Sequence, residues 1–164
     1  MSRIMIRYRA AHFIAVFGTL LLDQVTKHAV DRALPLYGSI TVIPGFFNLV
    51  HVRNPGIAFG MLNRPGYDFF PYILAAAGIT AILVLAFWYF YRCEGRELSV
   101  SAGICLMIGG AAGNLVDRVR LGEVVDFIHL YVGSFHWPAF NVADSAITVG
   151  AFLVALGILR SGKD

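Results

Sequence analysis

The sequence predicts an all-α membrane protein with four transmembrane helices, carrying a small β-platform and a short interfacial helix in its first outward loop. Three observations carry that prediction. The 164 residues are 58% hydrophobic and only 14% charged, with a mean hydropathy of +0.71; a soluble domain sits near half apolar and about a quarter charged. Two long stretches hold no charge at all. The scarce acids and amides gather where the apolar stretches end. The same composition excludes disorder, collagen and a disulfide scaffold, and a net charge of +3 is too small and too scattered to point to nucleic acid.

The first span, about residues 10–30, is apolar from Phe13 to Leu22 and then reaches Asp23 and Lys27. Arg3, Arg7 and Arg9 precede it, as they would a cleaved signal peptide. No small-x-small cleavage site follows, so a retained helix is the preferred reading. Residues 37–53 hold two short β-prone stretches, Thr41–Ile43 and Phe47–Val52, separated by Pro44-Gly45; they predict a small sheet lying on the outer membrane surface. Asn54-Pro55-Gly56 is a turn signal, after which residues 57–62 suit the interfacial helix.

Phe69 to Tyr91 is uncharged for 23 residues with aromatics at both ends, and Leu98 to Val116 is uncharged for 19. Each is long enough to cross a hydrocarbon core about 30 Å thick. The second of them carries Gly109, Gly110 and Gly113, which let helix backbones approach closely. A fourth span covers about 141–160. The termini and the tight loop 92–98 are dense in Arg and Lys, whereas the loops 31–68 and 117–140 are sparse, so the termini are expected in the cytoplasm and those two loops outside. One integral membrane domain, 1–164, results. Cys93 and Cys105 suggest no disulfide, no metal-ligand spacing occurs, and the five dispersed histidines read as interfacial or loop polar residues.

Asp23 and Lys27 end the first span; Asn114, Asp117 and Arg118 end the third at i, i+3 and i+4; Asn141 and Asp144 open the fourth. Each has a structural reading. Asp23 with Lys27 makes an i, i+4 ion pair, Asp117 pairs with Arg118 or Arg120, and Asn141 with Asp144 makes a capping box. Asp126, in Val124-Val125-Asp126-Phe127-Ile128, has no basic residue within five positions. The functional reading is two carboxylates sharing one proton, the charged one activating water and the protonated one donating to a carbonyl oxygen and then to the leaving amine. The helix N-terminus at Asp144 favours its ionised form and so leaves Asp126 to carry the shared proton, within a pair that titrates as a unit. A proton-coupled carrier and a membrane protein without chemistry are the competing classes; against the carrier, the acids cluster at one depth.

Five blocks in order, Asp23-Gln24-Val25-Thr26-Lys27, Asn54-Pro55-Gly56-Ile57-Ala58-Phe59, Gly109 to Arg118, Gly122 to Phe127, and Phe140 to Ser145, resemble the lipoprotein signal peptidases (signal peptidase II), the bacterial membrane aspartyl peptidases. The resemblance spans almost the whole chain. It implies a four-helix, monomeric inner-membrane enzyme that needs no metal or other cofactor and works among membrane lipids. It implies cleavage of prolipoproteins on the N-terminal side of a diacylglyceryl-modified cysteine, with the site toward the outer leaflet. Asp126 and Asp144 match the catalytic pair. Asn54, Gly56, Asn114, Arg118 and Asn141 match positions that bind substrate or peptidomimetic antibiotics such as globomycin, and Asp23, Lys27 and Asp117 match structural polar positions. Ala112 and Pro55 depart slightly from the family pattern and leave the pair untouched.

Overall fold

The computed structural model describes residues 3–56, 70–92 and 98–161. In chain order these form α1 (Arg3–Ala33), β1 (Ser39–Ile43), β2 (Phe47–Asn54), α2 (Phe70–Arg92), α3 (Leu98–Leu121), β3 (Val124–Val132), β4 (Phe135–His136) and α4 (Val142–Ser161). The four helices are each long and apolar enough to cross a membrane. The interfacial helix expected over 57–62, and Cys93, lie outside the described residues.

The helices expose Phe13, Phe17, Leu21, Leu83, Phe87, Phe152 and Leu159. Lipid tails are as apolar as these side chains, so in a bilayer their exposure costs nothing, and helix association must come from close packing and polar contacts instead. The central helix is α3, which packs against each of the others. A Cβ on Gly103 would strike the Gly150 carbonyl oxygen of α4, and one on Gly150 would strike that of Gly103. Glycine at both positions brings α3 and α4 into backbone contact. On the other side of α3, Gly109 faces the Val16 carbonyl of α1. Helix α1 is thereby an integral member of the bundle.

The sheet is larger than the first loop alone predicts. Its order is β1-β2-β3-β4, antiparallel throughout, so half of its strands come from the segment between α3 and α4. Pro44 and Gly45 turn β1 into β2, with Gly45 at φ 78° and Phe46 N–H donating to the Ile43 carbonyl at 3.1 Å; this is the Pro-Gly pattern of a type II turn. In the β2–β3 pair Val52 opposes Asp126 and Asn54 opposes Val124, making Asn54 and Asp126 diagonal neighbours. A second difference concerns α3. The sequence places its end near Val116, but it runs to Leu121, so Asp117 and Arg118 lie within the helix.

Two apolar clusters cap the bundle. Val100, Ile104 and Val154 pack with Leu85 and Trp88, and Val30, Leu34 and Phe127 pack with Leu49, Ile128 and Val142. Along α1 and α3, a layer of buried polar side chains falls between them.

Candidate active site

That polar layer is organised around Lys27. Its ammonium, 3% exposed, lies 2.8 Å from Asp23 Oδ2 and 2.9 Å from Asp117 Oδ2, and donates to Asn114 Oδ1 at 2.9 Å. One buried cation between two buried carboxylates is tolerable only when every remaining oxygen is also bonded. Asp23 Oδ1 accepts from Ala143 N–H at 2.9 Å, and Asp117 Oδ2 accepts from Val125 N–H at 3.2 Å. Gln24 donates to Asp117 Oδ1 at 3.0 Å and to the Gly113 carbonyl at 3.1 Å. The Asp23–Lys27 pair expected from i, i+4 spacing is present. Asp117, by contrast, pairs with Lys27 on another helix and with neither Arg118 nor Arg120, because the lysine is buried beside it.

Gln24 belongs to this network although its sequence neighbourhood singled out only Asp23 and Lys27; an amide next to an acid at a span's polar end was the available signal. Gly113 belongs too, since a Cβ there would fall on Asp23 Oδ2.

The network fixes the start of α4. Asn141, fully buried, caps the helix: its Oδ1 accepts from Asp144 N–H at 2.9 Å, and Asp144 Oδ2 accepts from Asn141 N–H at 3.2 Å. This reciprocal pair is the expected capping box. It leaves Asn141 Nδ2 and Asp144 Oδ1 free to face inward. Asn141 Nδ2 donates to Asp126 Oδ1 at 2.8 Å and to Asn114 Oδ1 at 3.1 Å, with the Val125 carbonyl at 3.3 Å. Asn114 Nδ2 donates to Asp144 Oδ1 at 2.8 Å. Two asparagines therefore join the two carboxylates in one hydrogen-bonded chain. Lys27 settles which way Asn114 faces, because a cation on its oxygen turns its NH₂ toward Asp144.

Asp126 is 3% exposed and receives a second amide hydrogen bond, from Asn54 Nδ2 to Oδ2 at 3.0 Å. Asn54 Oδ1 meanwhile accepts from Gly56 N–H at 3.1 Å, so the turn chemistry expected there and the contact to Asp126 use opposite ends of one amide. Burial pushes the Asp126 carboxyl up to about 7, with the negative charge of Asp144 acting in the same direction and the Asn54 amide opposing it. The half-buried guanidinium of Arg118 lies in the field of Asp144, Asp126 and Asp117, and among the described residues its side chain has no hydrogen-bond or ion-pair partner.

The ten site positions singled out in the sequence thus fall in one region, nine of them joined by hydrogen bonds or ion pairs (Asp126, Asp144, Asn54, Gly56, Asn114, Asn141, Asp23, Lys27 and Asp117) and Arg118 beside the acids. The described residues contain no group of three or more His, Cys, Asp or Glu side chains arranged to hold a metal ion.

Four apolar helices around a buried acid–amide layer, roofed by a small sheet, define a polytopic membrane enzyme. Solved structures of bacterial membrane enzymes share this fold. One, a bacterial membrane enzyme solved by the in meso method at 2.3 Å, superposes with a TM-score of 0.82 at 30% identity, covering 93% of this chain and 90% of its own. Another, solved the same way at 1.9 Å, gives 0.79 at 30% identity over 92% and 94%. The sequence model for signal peptidase (SPase) II matches residues 15–160. A protein named lipoprotein signal peptidase in Geobacter sulfurreducens is 46% identical over 148 residues, covering 90% of this chain and 91% of its own. Its namesake in Oleidesulfovibrio alaskensis is 43% identical over 154 residues, at 94% and 97%. The chain belongs to the signal peptidase II family and is a multi-pass membrane peptidase.

Proposed function

We propose that this peptidase removes signal peptides from prolipoproteins, cutting on the N-terminal side of a diacylglyceryl-modified cysteine, with Asp126 and Asp144 as the catalytic pair. The observation that carries the reading is the chain of amides holding two carboxylates of different environment. Asp126 is buried, holds its proton near neutrality, and accepts an N–H on each oxygen, so its own O–H is free to donate toward substrate. Asp144 sits in the first turn of α4 and accepts hydrogen bonds from the Asn141 backbone N–H and from Asn114 Nδ2.

Asp144 takes a proton from water, the resulting hydroxide attacks the scissile carbonyl carbon, and Asp126 protonates the carbonyl oxygen. The gem-diol collapses as Asp144 passes its proton to the amine nitrogen and Asp126 takes a proton from a gem-diol hydroxyl, so the pair returns to its singly protonated state. Asn54, Asn114 and Asn141 hold the carboxylates in place. Arg118, near both acids and without a partner of its own among the described residues, binds backbone carbonyls of the extended peptide, and Gly56 keeps the adjoining turn close to it. The chemistry uses no metal. Globomycin-like peptides are proposed to occupy the same cleft.

The enzyme is proposed to act as a monomer, one domain over 1–164, in the bacterial cytoplasmic membrane. An even number of spans keeps both termini on one side, and the Arg-rich ends favour the cytoplasm; the site then opens to the outer leaflet, where a lipidated cysteine resides. The decisive experiment incubates purified protein in detergent with a diacylglyceryl-modified precursor, with and without a chelator. Cleavage before the cysteine, resistant to chelator and abolished in Asp126→Asn and Asp144→Asn, is expected. Substantial cleavage by the double variant would refute the pair.

A further inference from the structure

Away from this site, the β3–β4 hairpin gathers two histidines that are seven positions apart in sequence. Tyr131 pairs with His136 across the strands, and His129, two residues before Tyr131, projects from the same face of β3. His129 Nε2 and His136 Nδ1 are 3.3 Å apart. Their ring centroids are 5.2 Å apart and their planes differ by 14°.

Two imidazole nitrogens on one tetrahedral ion, each at about 2.0–2.1 Å from it, lie roughly 3.3–3.4 Å from each other. The two ring planes are nearly parallel, and the facing nitrogens are also within hydrogen-bond distance of each other.

We infer that His129 and His136 form a bidentate site for a borderline divalent transition-metal ion such as Zn²⁺, Ni²⁺ or Cu²⁺. Imidazole is the donor type these ions prefer, with Cu²⁺ held most tightly. Both facing nitrogens present lone pairs when the ring protons occupy the outer nitrogens, and water completes the coordination. The pair is preorganised. Tyr131 lies alongside both rings, with centroids 5.7 and 5.4 Å away and planes within 18° and 6°. Its hydroxyl is itself fixed by Gly45 N–H at 3.1 Å. The strands are tied by their pairing and by the tight turn at Gly133, φ 58°. His136 is exposed and His129 half-buried, so an ion reaches them without unfolding the hairpin. Bound there, it cross-links β3 to β4.

The full chain, purified in detergent through a tag that contains no histidine and stripped with chelator, is titrated with Zn²⁺ by calorimetry and with Cu²⁺ by electron paramagnetic resonance. One saturable ion per chain is expected, with two nitrogen donors in the Cu²⁺ spectrum. His129→Asn and His136→Asn each weaken Zn²⁺ binding at least tenfold, and the double variant abolishes it. His28→Asn, on the exposed face of α1, leaves binding unchanged. Metal-free cleavage activity stays at the wild-type level in the histidine variants, which establishes that they fold; His136, on the exposed strand, carries the test even if His129→Asn does not fold. Absence of saturable binding in the wild type, undiminished binding in His136→Asn, or a single nitrogen donor overturns the assignment.

Discussion

Replacing Asp126 by Asn is expected to abolish cleavage and at the same time to remove most of the pH dependence of stability between pH 5 and 8. In the folded protein the Asp126 carboxyl is pushed from 3.8 to about 7. The native state thus holds a proton that the unfolded chain has released, and stability falls as pH rises through that window, levelling off above 7. At about 1.4 kcal/mol per pH unit the wild type loses roughly 3 kcal/mol between pH 5 and pH 8 through this group. That corresponds to a fall in Tm on the order of 5–10 °C for a chain of this size. The substituted amide cannot ionise, so the variant's curve is flat by comparison. Its NH₂ must also face the amide of Asn54 or Asn141, which costs about 1–3 kcal/mol at every pH. The two curves should converge as pH rises. The assay is thermal unfolding of both proteins in detergent across this range, paired with wild-type kcat/KM. Protonated Asp126 falls from about 0.9 to about 0.1 of the total between pH 6 and pH 8, so kcat/KM should drop about tenfold. Parallel stability curves, or wild-type activity still rising at pH 8, would refute the reasoning.

Three further outcomes test other parts of the structure. Asn54→Ala removes a hydrogen bond that favours the charged form of Asp126, so its carboxyl moves further up and the alkaline limb of the activity profile shifts to higher pH; an unshifted limb contradicts the contact. Lys27→Met leaves Asp23 and Asp117 buried without their cation and should cost about 3–5 kcal/mol, read as a large fall in Tm and as loss of folded protein on size exclusion. In a background lacking the native cysteines, Ser134→Cys should react with a membrane-impermeant reagent applied from outside whole cells, and Glu97→Cys should not. Equal or reversed labelling overturns the orientation.

The spans were legible because lipid tolerates so little charge: 69–91 and 98–116 stand out against any soluble pattern. The cap at Asn141 and Asp144 was legible as well, since a capping box is local and its two residues are three apart. What the sequence concealed was non-local. Strand β3 reads as nearly continuous apolar residues around Asp126, and over Val124–Phe127 both faces are buried, with no alternation to betray a strand. Its partner β2 lies about seventy residues away, so no local signal could announce a sheet drawn from two loops. Asp117 and Arg118 looked like a helix end because charge ends most spans. Pairing with Lys27 inside the bundle instead allows α3 to continue to Leu121. His129 and His136 seemed dispersed for the same reason: only the hairpin register brings them together.

The pairing of β2 with β3, and the bonding of β3 to Asn141 at the start of α4, also sets when this enzyme can work. Synthesis delivers Asn54 early, Asp126 only after three helices, and Asp144 with the last one. A nascent chain halted after β3 has one acid of the proposed pair, no Asn141 to hold it, and an Asp23 still lacking the N–H of Ala143. On the proposed assignment such a chain lacks half of its catalytic pair, and peptidase activity begins only when the final span has docked.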